Sequence, residues 1–481
     1  MIRLIQNDQL YNNDIRAMLM AYFPGAKIRE DVTLDKEDCR FTCELLFAEN
    51  VTSIKLYGKE IKSDDVLTKS VPGDYRNKES FKNRFKSACY ELMVQMTGRE
   101  LPWGDLTGVR PTKIAMAKLN GGASAESVTE YYMTEYKTSE RKASLATRVA
   151  ANEKRLLDDV DARNDYCLYV GIPFCPSRCL YCSFTSYPIA VYKDRVETYI
   201  DRLCTELKEI AGRRENKRLI AIYIGGGTPT SLTAPMLDRL LGCIEETFPM
   251  DEVKEFTVEA GRPDSITEDK LRCLKAHGVS RISINPQTMN DDTLKAIGRA
   301  HTSEQAVAAF KLARSCGFDN INMDLIAGLP GEDAGSMGHT LAEIHKLAPE
   351  SITVHSLAIK RAASLKLRLD EFGESIHHDM DEMLDMVQNE TERLGMEPYY
   401  LYRQKNIGGN LENVGYARSG RECLYNILIM EEITDVIAAG AGGSTKLVYP
   451  DENRVERIEN CKSVEDYIER FDEMLARKNN I

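Results

Sequence analysis

The sequence predicts an α/β fold in which a partial (β/α)6 barrel follows an N-terminal α+β domain and precedes a C-terminal α/β extension. Three observations lead to this prediction. Between residues 165 and 360, short apolar runs alternate with amphipathic helical stretches. Before this span, two runs alternate in polarity as half-buried strands do, and beyond it strand-like and helix-like segments are mixed. We therefore predict domains at 1–160, 165–360 and 361–481, the last of them covering the substrate at the barrel mouth.

The composition fits a folded, acidic, cytosolic protein. The chain has 481 residues, 43% of them hydrophobic, and a formal net charge of −12. An acidic balance argues against nucleic acid as a partner, because sequence-independent phosphate binding needs a net basic face. The sequence contains no apolar run long enough to span a membrane, and its opening, MIRLIQNDQLYNND, is too polar for a secretion signal. We expect a cytoplasmic location.

The N-terminal domain is predicted from local patterns. CRFTCELLFA (39–48) and SIKLYGKEI (53–61) alternate like two strands joined at residues 49 and 50. Residues 78–98 have a helical period, and a long charged helix is predicted over 137–160. These patterns assign no chemistry to the domain.

The barrel prediction depends on six continuous apolar runs, each followed by a helical stretch. The runs are CLYVGIPF (167–174), LIAIYIGGG (219–227), EFTVEA (255–260), RISINP (281–286), INMDLIAGLP (321–330) and SITVHSLAI (351–359). Such runs alternating with helices indicate a parallel sheet with right-handed crossovers. In barrels of this kind the reactive groups lie at the C-terminal ends of the strands.

Three of the thirteen cysteines form a C-x3-C-x2-C pattern directly after the first of these runs. Cys175, Cys179 and Cys182 could each bind a different iron of a cubane cluster and leave the fourth iron open to a substrate or cofactor. A structural zinc ion is an alternative, but it needs a fourth ligand, and Cys167 could serve only if its side chain faced the loop. The other alternative is three unrelated buried cysteines.

Polar residues and glycines follow the other strand ends. Residues 225–229 read G-G-G-T-P, where backbone without side chains could approach a ligand closely. Glu259, Gln287, Arg299 and Asp324 come at or after later strands. Singly, each would more often be a surface or capping residue. Together they supply acceptors for an ammonium group and ribose hydroxyls, and a guanidinium for a carboxylate, which suits an amino-acid nucleoside.

These motifs, in this order and spacing, resemble the radical S-adenosylmethionine superfamily, and within it the oxygen-independent coproporphyrinogen III oxidases and their relatives. Tyr169 opens the pattern Y-x-x-I-P-F-C-x-x-x-C-x-Y-C, and G-G-G-T-P, T-V-E-A and N-x-D-L-I-x-G-L-P follow. L-P-W-G-x-L-T-G-x-R-P-T-K from residue 101 and N-L-E-N-V-G-Y-A (410–417) are similar to the HemZ branch. The resemblance then covers nearly the whole chain.

The resemblance implies a [4Fe-4S] cluster on Cys175, Cys179 and Cys182, and S-adenosyl-L-methionine (SAM) bound through its amino and carboxylate groups to the open iron. By position, the implied SAM contacts are Tyr169, Tyr181, Gly226, Gly227, Thr228, Glu259, Gln287, Arg299, Asp324 and Ala358. The glycines and the threonine would line the methionine part, and Glu259 and Arg299 its charged end. Gln287 and Asp324 would hold the ribose, and the backbone of Ala358 would line the adenine pocket.

The resemblance also implies a reaction. An electron from a donor such as flavodoxin or ferredoxin would reduce the cluster and then cleave SAM to methionine and a 5′-deoxyadenosyl radical. That radical would take a hydrogen from a propionate side chain of coproporphyrinogen III, and loss of CO2 and one more electron would leave a vinyl group. Basic candidates for the four propionates are Arg262, Lys360, Arg361, Arg403 and Lys405.

Two departures from the family pattern support a second hypothesis. Phe184 stands where well-characterised oxidases of the family carry a further cysteine, and Gly171 replaces a usual histidine. Relatives with C-x-F at this point include proteins thought to carry haem. The alternative function is therefore haem trafficking without oxidase activity, with His355 on the sixth strand as a candidate haem ligand.

Overall fold

The computed structural model describes residues 1–30, 39–61, 66–358, 379–404 and 410–481. Its chain forms two compact units. The first contains Met1–Ala151 and Tyr402–Glu412, and the second contains Asn152–Leu401 and Asn413–Ile481. Across the described ranges, no helix combines the length and apolar character needed to cross a membrane. The division into three domains at residues 160 and 360 stays a prediction.

The first unit is built on a five-stranded sheet. Its strands are β1 (Ile2–Gln6), β2 (Ile28–Arg29), β3 (Phe41–Phe47), β4 (Val51–Tyr57) and β5 (Leu67–Pro72). They lie in the order β2-β1-β3-β4-β5. The predicted strand pair at 39–48 and 53–61 is confirmed as β3 and β4, which are antiparallel and place Phe47 opposite Thr52.

Helices cover one face of this sheet through an aromatic core. The helices of the N-terminal 157 residues are Asn12–Tyr22, Lys78–Thr97, Thr112–Asn120, Ala125–Tyr136 and Glu140–Leu157. Tyr11 packs against Phe47, Phe81 and Phe85, with ring centroids 5.8, 5.7 and 5.1 Å away. The predicted helix at 78–98 is confirmed. The side chain of Asn77 accepts a hydrogen bond at its start, and Gly98 ends it in the left-handed conformation.

The second unit contains the predicted parallel strands. The remaining strands, in chain order, are β6 (Asp165–Ile172), β7 (Phe174–Cys175), β8 (Tyr187–Pro188), β9 (Arg218–Gly226), β10 (Glu255–Glu259), β11 (Arg281–Ser283), β12 (Ile321–Ala327), β13 (Ser351–Ser356), β14 (Glu397–Arg403), β15 (Glu412–Ala417), β16 (Asp435–Ala439), β17 (Ser444–Tyr449) and β18 (Arg454–Glu459). Of these, the end of β14 from Tyr402 and the first residue of β15, Glu412, are assigned to the first unit. Strands β6 and β9 to β13 are the six predicted runs, paired in parallel in chain order.

The C-terminal segments extend this sheet at both edges. The order of its eleven strands is β14-β15-β13-β12-β11-β10-β9-β6-β16-β17-β18. Strand β15 is antiparallel to β13, whereas β16 is parallel to β6 and therefore adds a seventh parallel strand. The predicted α/β extension is thus present as added strands and helices. Whether it covers a substrate stays a prediction.

Helices connect these strands close to where the sequence predicts them. They are Ile189–Tyr192, Val196–Arg213, Ala234–Thr247, Glu268–Ala276, Asp291–Ala296, Ser303–Ser315, Ala334–Leu347, Met380–Arg393, Leu424–Glu431, Val464–Glu469 and Phe471–Arg477. Short 3-10 helices lie at Pro229–Ser231, Pro263–Ser265, Pro450–Glu452 and Lys478–Asn480. The last helical segment of the chain is interrupted at Arg470, which caps one helix and precedes the next.

Candidate functional site

The C-terminal ends of the parallel strands bring the predicted residues to one edge of the sheet. Because β6 and β9 to β13 are parallel neighbours, the loops that follow them start at the same edge. The Cys175 loop follows β6, Gly226 ends β9, and Glu259 ends β10. Gln287 follows β11 and bridges to Leu325 in β12, the strand that carries Asp324. The predicted clustering at this edge is therefore present.

Each of the three clustered thiols has a polar neighbour. Thr228 Oγ1 donates to Cys175 Sγ at 3.4 Å, and Arg262 Nη1 donates to Cys179 Sγ at 3.7 Å. Cys182 Sγ lies 4.0 Å from Ser186 Oγ. Cys175 and Cys182 are half-buried and Cys179 is buried, so the loop keeps partial contact with solvent. Such a partly exposed, polar environment is typical of cysteines that act as thiolate ligands rather than of inert core cysteines.

The spacing of the thiols disfavours the zinc alternative. Sulfurs bound to one zinc ion at about 2.3 Å lie no more than about 4.6 Å apart. Among the described residues, Asp238, Cys273 and His277 are a group of three Cys, His or acidic side chains whose ligand atoms all lie within 4.8 Å of one another. The three thiols of the loop do not meet this criterion. Cys167 is fully buried in β6, where its thiol contacts Thr434. It does not supply the fourth ligand that a zinc site in this loop would need.

Arg262 ties the cysteine loop to the end of β10. Its guanidinium donates to the Ser177 carbonyl at 3.1 Å and to both carboxylate oxygens of Asp264 at 2.8 Å. Burial raises the pKa of Cys175 to about 11, whereas Thr228 and the Arg262 charge lower it. Sequence reasoning considered Arg262 for substrate propionates and missed this contact. The sequence did offer one signal for this contact: Arg262 lies only three residues after Glu259, at the strand end where the cysteine loop was expected.

The glycine turn after β9 is required by close packing. A Cβ atom on Gly227 would lie 2.6 Å from the Phe174 carbonyl oxygen, and one on Gly225 would lie 2.9 Å from Glu259 Cδ. Gly226 has a φ of +110°, which favours glycine. The turn therefore lets the backbone of β9 run directly against the start of the cysteine loop, where Thr228 N donates to the Phe174 carbonyl at 2.7 Å.

Glu259 is a half-buried carboxyl group that contacts a stack of three tyrosines. Tyr223 Oη donates to Glu259 Oε1 at 2.6 Å. The ring of Tyr223 stacks on Tyr425 at 4.5 Å and on Tyr169 at 6.3 Å. Burial raises the pKa of Glu259 to about 7, the Tyr223 hydrogen bond lowers it, and the charge of Asp324 raises it. The sequence did not reveal Tyr425, because its segment YNILIM carries no motif.

Gln287 and Asp324 face one another across neighbouring strands. Gln287 N donates to the Asp324 carbonyl at 3.0 Å. Gln287 has a φ of +70°, and its buried Oε1 has no hydrogen-bond partner. Burial opposes ionisation of Asp324, but the neighbouring His355, whose Nε2 lies 3.8 Å away, and Asn322 lower its pKa overall. A strained backbone and an unpaired buried acceptor are costly unless a ligand uses them.

Arg299 and Tyr181 form a direct pair. Arg299 Nε and Nη2 donate to Tyr181 Oη at 3.2 and 3.0 Å, and Arg299 Nη1 donates to the Asn285 carbonyl at 2.6 Å. The pair therefore links the cysteine loop to the end of β11. His301, two residues further, is also buried, and burial followed by the charge of Arg299 lowers its pKa to about 4. His301 was not predicted.

The remaining predicted residues lie at the end of β13, in the first unit, in the cysteine loop or outside the described residues. Ala358 is half-buried two residues beyond β13. Arg403 belongs to the first unit, where its Nη2 donates to the Leu106 carbonyl at 2.5 Å. Lys360, Arg361 and Lys405 lie outside the described residues. Phe184, in the cysteine loop, is 68% exposed.

Comparison with known proteins agrees with the motifs. The sequence profile of the radical SAM superfamily matches residues 169–344. The chain is 38% identical to the oxygen-independent coproporphyrinogen-III oxidase-like protein HemZ of Bacillus subtilis, over 92% of this chain and 90% of that protein. It is 33% identical to the heme chaperone HemW of Bacillus subtilis, over 54% of this chain and 65% of that protein.

A solved structure supports the same fold. The coproporphyrinogen III oxidase HemN of Escherichia coli, a radical SAM enzyme, superimposes with a TM-score of 0.53 at 22% identity. The match covers 68% of this chain and 73% of that one. At this identity the likeness establishes the fold and leaves the activity open.

Members of the radical SAM superfamily bind a [4Fe-4S] cluster and SAM, the two cofactors expected from the sequence. The residues of this chain fit both groups. Three separated thiols lie in one partly exposed loop, which suits a cluster with an open iron. The unpaired Gln287 Oε1 and the half-buried carboxyl of Glu259 supply acceptors for a ligand with hydroxyl and ammonium groups.

Proposed function

We propose, since this chain belongs to the radical SAM family of oxygen-independent coproporphyrinogen-III oxidase-like proteins, that it oxidatively decarboxylates propionate side chains of coproporphyrinogen III. The product would carry vinyl groups in their place, as in protoporphyrinogen IX. The observation that carries this proposal is the convergence of the cysteine loop with Glu259, Gln287 and Asp324 at one edge of the sheet.

Named residues would hold the two cofactors. Cys175, Cys179 and Cys182 would bind the cluster. The proposed SAM contacts are Tyr169, Tyr181, Gly226, Gly227, Thr228, Glu259, Gln287, Arg299, Asp324 and Ala358. When bound, the cluster and SAM supply one-electron chemistry that removes a hydrogen atom from an unactivated carbon. The electrons would come from a donor protein such as flavodoxin or ferredoxin.

The chain's own side chains prepare the site in two ways. Arg262 and Thr228 donate toward Cys179 and Cys175, and this stabilises negative charge on those sulfurs. Glu259 is held by the Tyr223 hydroxyl group, so that its carboxyl is oriented before a cationic group arrives. The Tyr425 ring is buried and stacks with the half-buried rings of Tyr169 and Tyr223, so three aromatic rings lie beside the carboxyl group of Glu259.

Anaerobic turnover tests the proposal. Reduced, cluster-loaded protein is incubated with SAM and coproporphyrinogen III, and products are separated by mass. We expect vinyl-bearing product and one molecule of 5′-deoxyadenosine for each vinyl group formed. The Cys179→Ala variant should give neither. The proposal is wrong if the wild-type protein forms 5′-deoxyadenosine but leaves the tetrapyrrole unchanged.

Haem trafficking is a second candidate, favoured by the exposed Phe184. A ring that is 68% exposed beside the cysteine loop could stack on a planar tetrapyrrole. The similarity to the heme chaperone HemW also supports this candidate. It predicts a Soret band on addition of haem and transfer of haem to an acceptor protein. Phe184→Ser should weaken haem binding under this hypothesis and leave the iron content of the cluster unchanged.

A further inference from the structure

Two helices on the outer side of the second unit bring together side chains that metals bind. Helix Ala234–Thr247 carries Asp238, and helix Glu268–Ala276 carries Cys273 and ends at His277. One ligand atom from each of these three residues lies within 4.8 Å of the other two. Cys273 and His277 are four residues apart, so they share one helix face.

The surroundings of His277 require either a second proton on its ring or a metal ion. Its Nδ1 lies 2.8 Å from Glu245 Oε2, and its Nε2 lies 3.0 Å from Asp238 Oδ1. A carboxylate only accepts hydrogen bonds, and a neutral imidazole has one N–H group. One ring nitrogen would therefore face a carboxylate oxygen with lone pair against lone pair. Either a second proton or a metal ion must lie between them.

Cys273 distinguishes these two possibilities. A second proton on His277 would satisfy both carboxylates and would give the thiol no role. A metal ion on Nε2 would take Asp238 and Cys273 as its other ligands. The Cys273 thiol is half-buried, lies within 4.8 Å of the other two ligand atoms, and donates to the Ala234 carbonyl at 3.7 Å, a bond that metal binding would replace.

We propose that Asp238, Cys273 and His277 form a Zn²⁺ site that is separate from the cysteine loop. Thiolate, imidazole and carboxylate are the ligands that zinc prefers, and water would complete a tetrahedron. Glu245 would accept the Nδ1 proton and fix the ring orientation, as carboxylates commonly do for metal-bound histidine. Binding replaces the thiol proton with zinc and releases that proton to solvent.

The ion would join the helices on either side of the strand that ends at Glu259. Helix Ala234–Thr247 precedes β10 in the chain, and helix Glu268–Ala276 follows it. Since three protein ligands leave one position for water, we expect reversible binding that responds to the zinc concentration. The site depends on no step of the proposed function, so either can fail without the other.

Metal analysis of the full chain tests the proposal. Protein isolated with its cluster and dialysed against Zn²⁺ should hold zinc equimolar with the polypeptide. Cys273→Ser and His277→Gln should lose that zinc and keep their iron. Cys461→Ser, which removes a half-buried thiol outside this group, should keep both. Co²⁺ bound in place of zinc should give a thiolate charge-transfer band that Cys273→Ser removes.

Three outcomes would overturn the zinc site. Zinc retained by both variants would show that the ligands are misassigned. Zinc lost from Cys179→Ala but retained by Cys273→Ser would place it in an incomplete cysteine loop. If wild-type protein takes up no zinc, His277 is held by a second proton. Should the variants fold poorly, the melting temperature decides, because zinc should raise it for wild type and Cys461→Ser alone.

Discussion

Two carboxyl groups, one buried in the first unit and one half-buried in the second, differ in the partners that the protein gives them. Glu412 in the first unit is 1% exposed, and its two oxygens meet Lys142 Nζ at 2.9 Å and Trp103 Nε1 at 2.6 Å. Glu259 in the second unit has a tyrosine hydroxyl as its partner, and the charge of Asp324 raises its pKa further. The first carboxylate is neutralised within the protein. Under the proposed function, the second would meet the ammonium group of SAM.

The same contrast holds for the residues around these carboxyl groups. Lys142, beside Glu412, has a side chain only 2% exposed, and its charge is matched. Gln287, at the edge that carries Glu259, has a buried oxygen without a partner and a backbone with positive φ. An unsatisfied acceptor in a native protein marks a place where a ligand or water completes the hydrogen bonding. The comparison therefore separates groups that stabilise the fold from groups that bind.

Removal of one cluster thiol should have the largest effect on the second unit. Cys179→Ala should abolish the iron content and brown absorbance, because two thiols cannot hold three iron corners. The three ligands lie in a loop of the second unit, and the first unit contains none of them. The helices and strands should therefore persist, and the far-ultraviolet circular dichroism should be unchanged. Cys461→Ala is the matched control and should keep its iron. Full iron content in Cys179→Ala would remove this residue from the ligand set.

Loss of the charge on Glu412 should destabilise the first unit and leave the cluster intact. Glu412→Gln retains an acceptor for Trp103 but removes the negative charge that lies 2.9 Å from the buried Lys142 ammonium group. Breaking a buried pair in this way costs about 3–5 kcal/mol. Denaturant unfolding should show this decrease in the free energy of unfolding. The double variant Lys142→Met, Glu412→Gln should recover most of it, because it removes the buried charge and keeps an acceptor for Trp103.

If Glu412→Gln instead lost iron at unchanged stability, the division between a structural and a binding site would be wrong. Unfolding is best followed through Trp103, the one tryptophan of the chain, which lies in the first unit. Iron content then reports the second unit separately. The two readouts keep the comparison of the two carboxyl groups testable in one protein.

The sequence predicted the parallel sheet well because its signals are local. Each strand from β9 to β13 is an apolar run bounded by glycine, proline or polar residues, and the cysteine loop follows β6 within three residues. The clustering of Glu259, Gln287 and Asp324 then follows from parallel topology alone. Motif resemblance added the cofactors to that edge.

The contacts that tune the site could not be predicted in this way. Arg262 reaches Cys179 only because β10 lies close to the cysteine loop, and Tyr425 reaches Tyr223 from 202 positions further along the chain. Such pairs depend on tertiary packing between segments whose individual sequences carry no motif. The seventh parallel strand, β16, was also hidden, because its glycine-rich neighbourhood resembles a loop.

Arg299→Ala should weaken SAM binding and spare the cluster. Loss of one charge-assisted hydrogen-bonding group costs about 1.5–3 kcal/mol, which corresponds to an affinity decrease of roughly 10- to 100-fold. Equilibrium dialysis of the cluster-loaded protein with labelled SAM measures it. Arg272→Ala removes an exposed arginine paired with Glu268 and serves as the control. Since Arg299 also binds Tyr181, loss of iron would instead assign it to the cysteine loop.

SAM affinity should increase with pH because Glu259 must ionise to bind an ammonium group. Burial raises its pKa from 4.5 to about 7 in the folded protein, so affinity should rise as the pH passes through about 7. The contribution of Glu259 to the free energy of unfolding changes in the opposite direction. The folded state holds this proton more tightly than the unfolded chain does, so the contribution decreases as the pH rises from 4.5 to about 7. Glu259→Gln should remove this pH dependence of binding. A dependence unchanged in that variant would assign it to another group.

Tyr223→Phe should produce the smallest change, a shift of the same titration. The Tyr223 hydroxyl donates to Glu259 at 2.6 Å and stabilises the ionised form, so its removal should raise the pKa of Glu259. A hydrogen bond of about 1 kcal/mol moves the midpoint of SAM binding upward by about one pH unit. Tyr425→Phe is the matched control, because its ring stacks on Tyr223 at 4.5 Å while Glu259 receives its phenolic hydrogen bond from Tyr223. Equal midpoints in the two variants would mean that ring packing, rather than the hydrogen bond, sets the ionisation of Glu259.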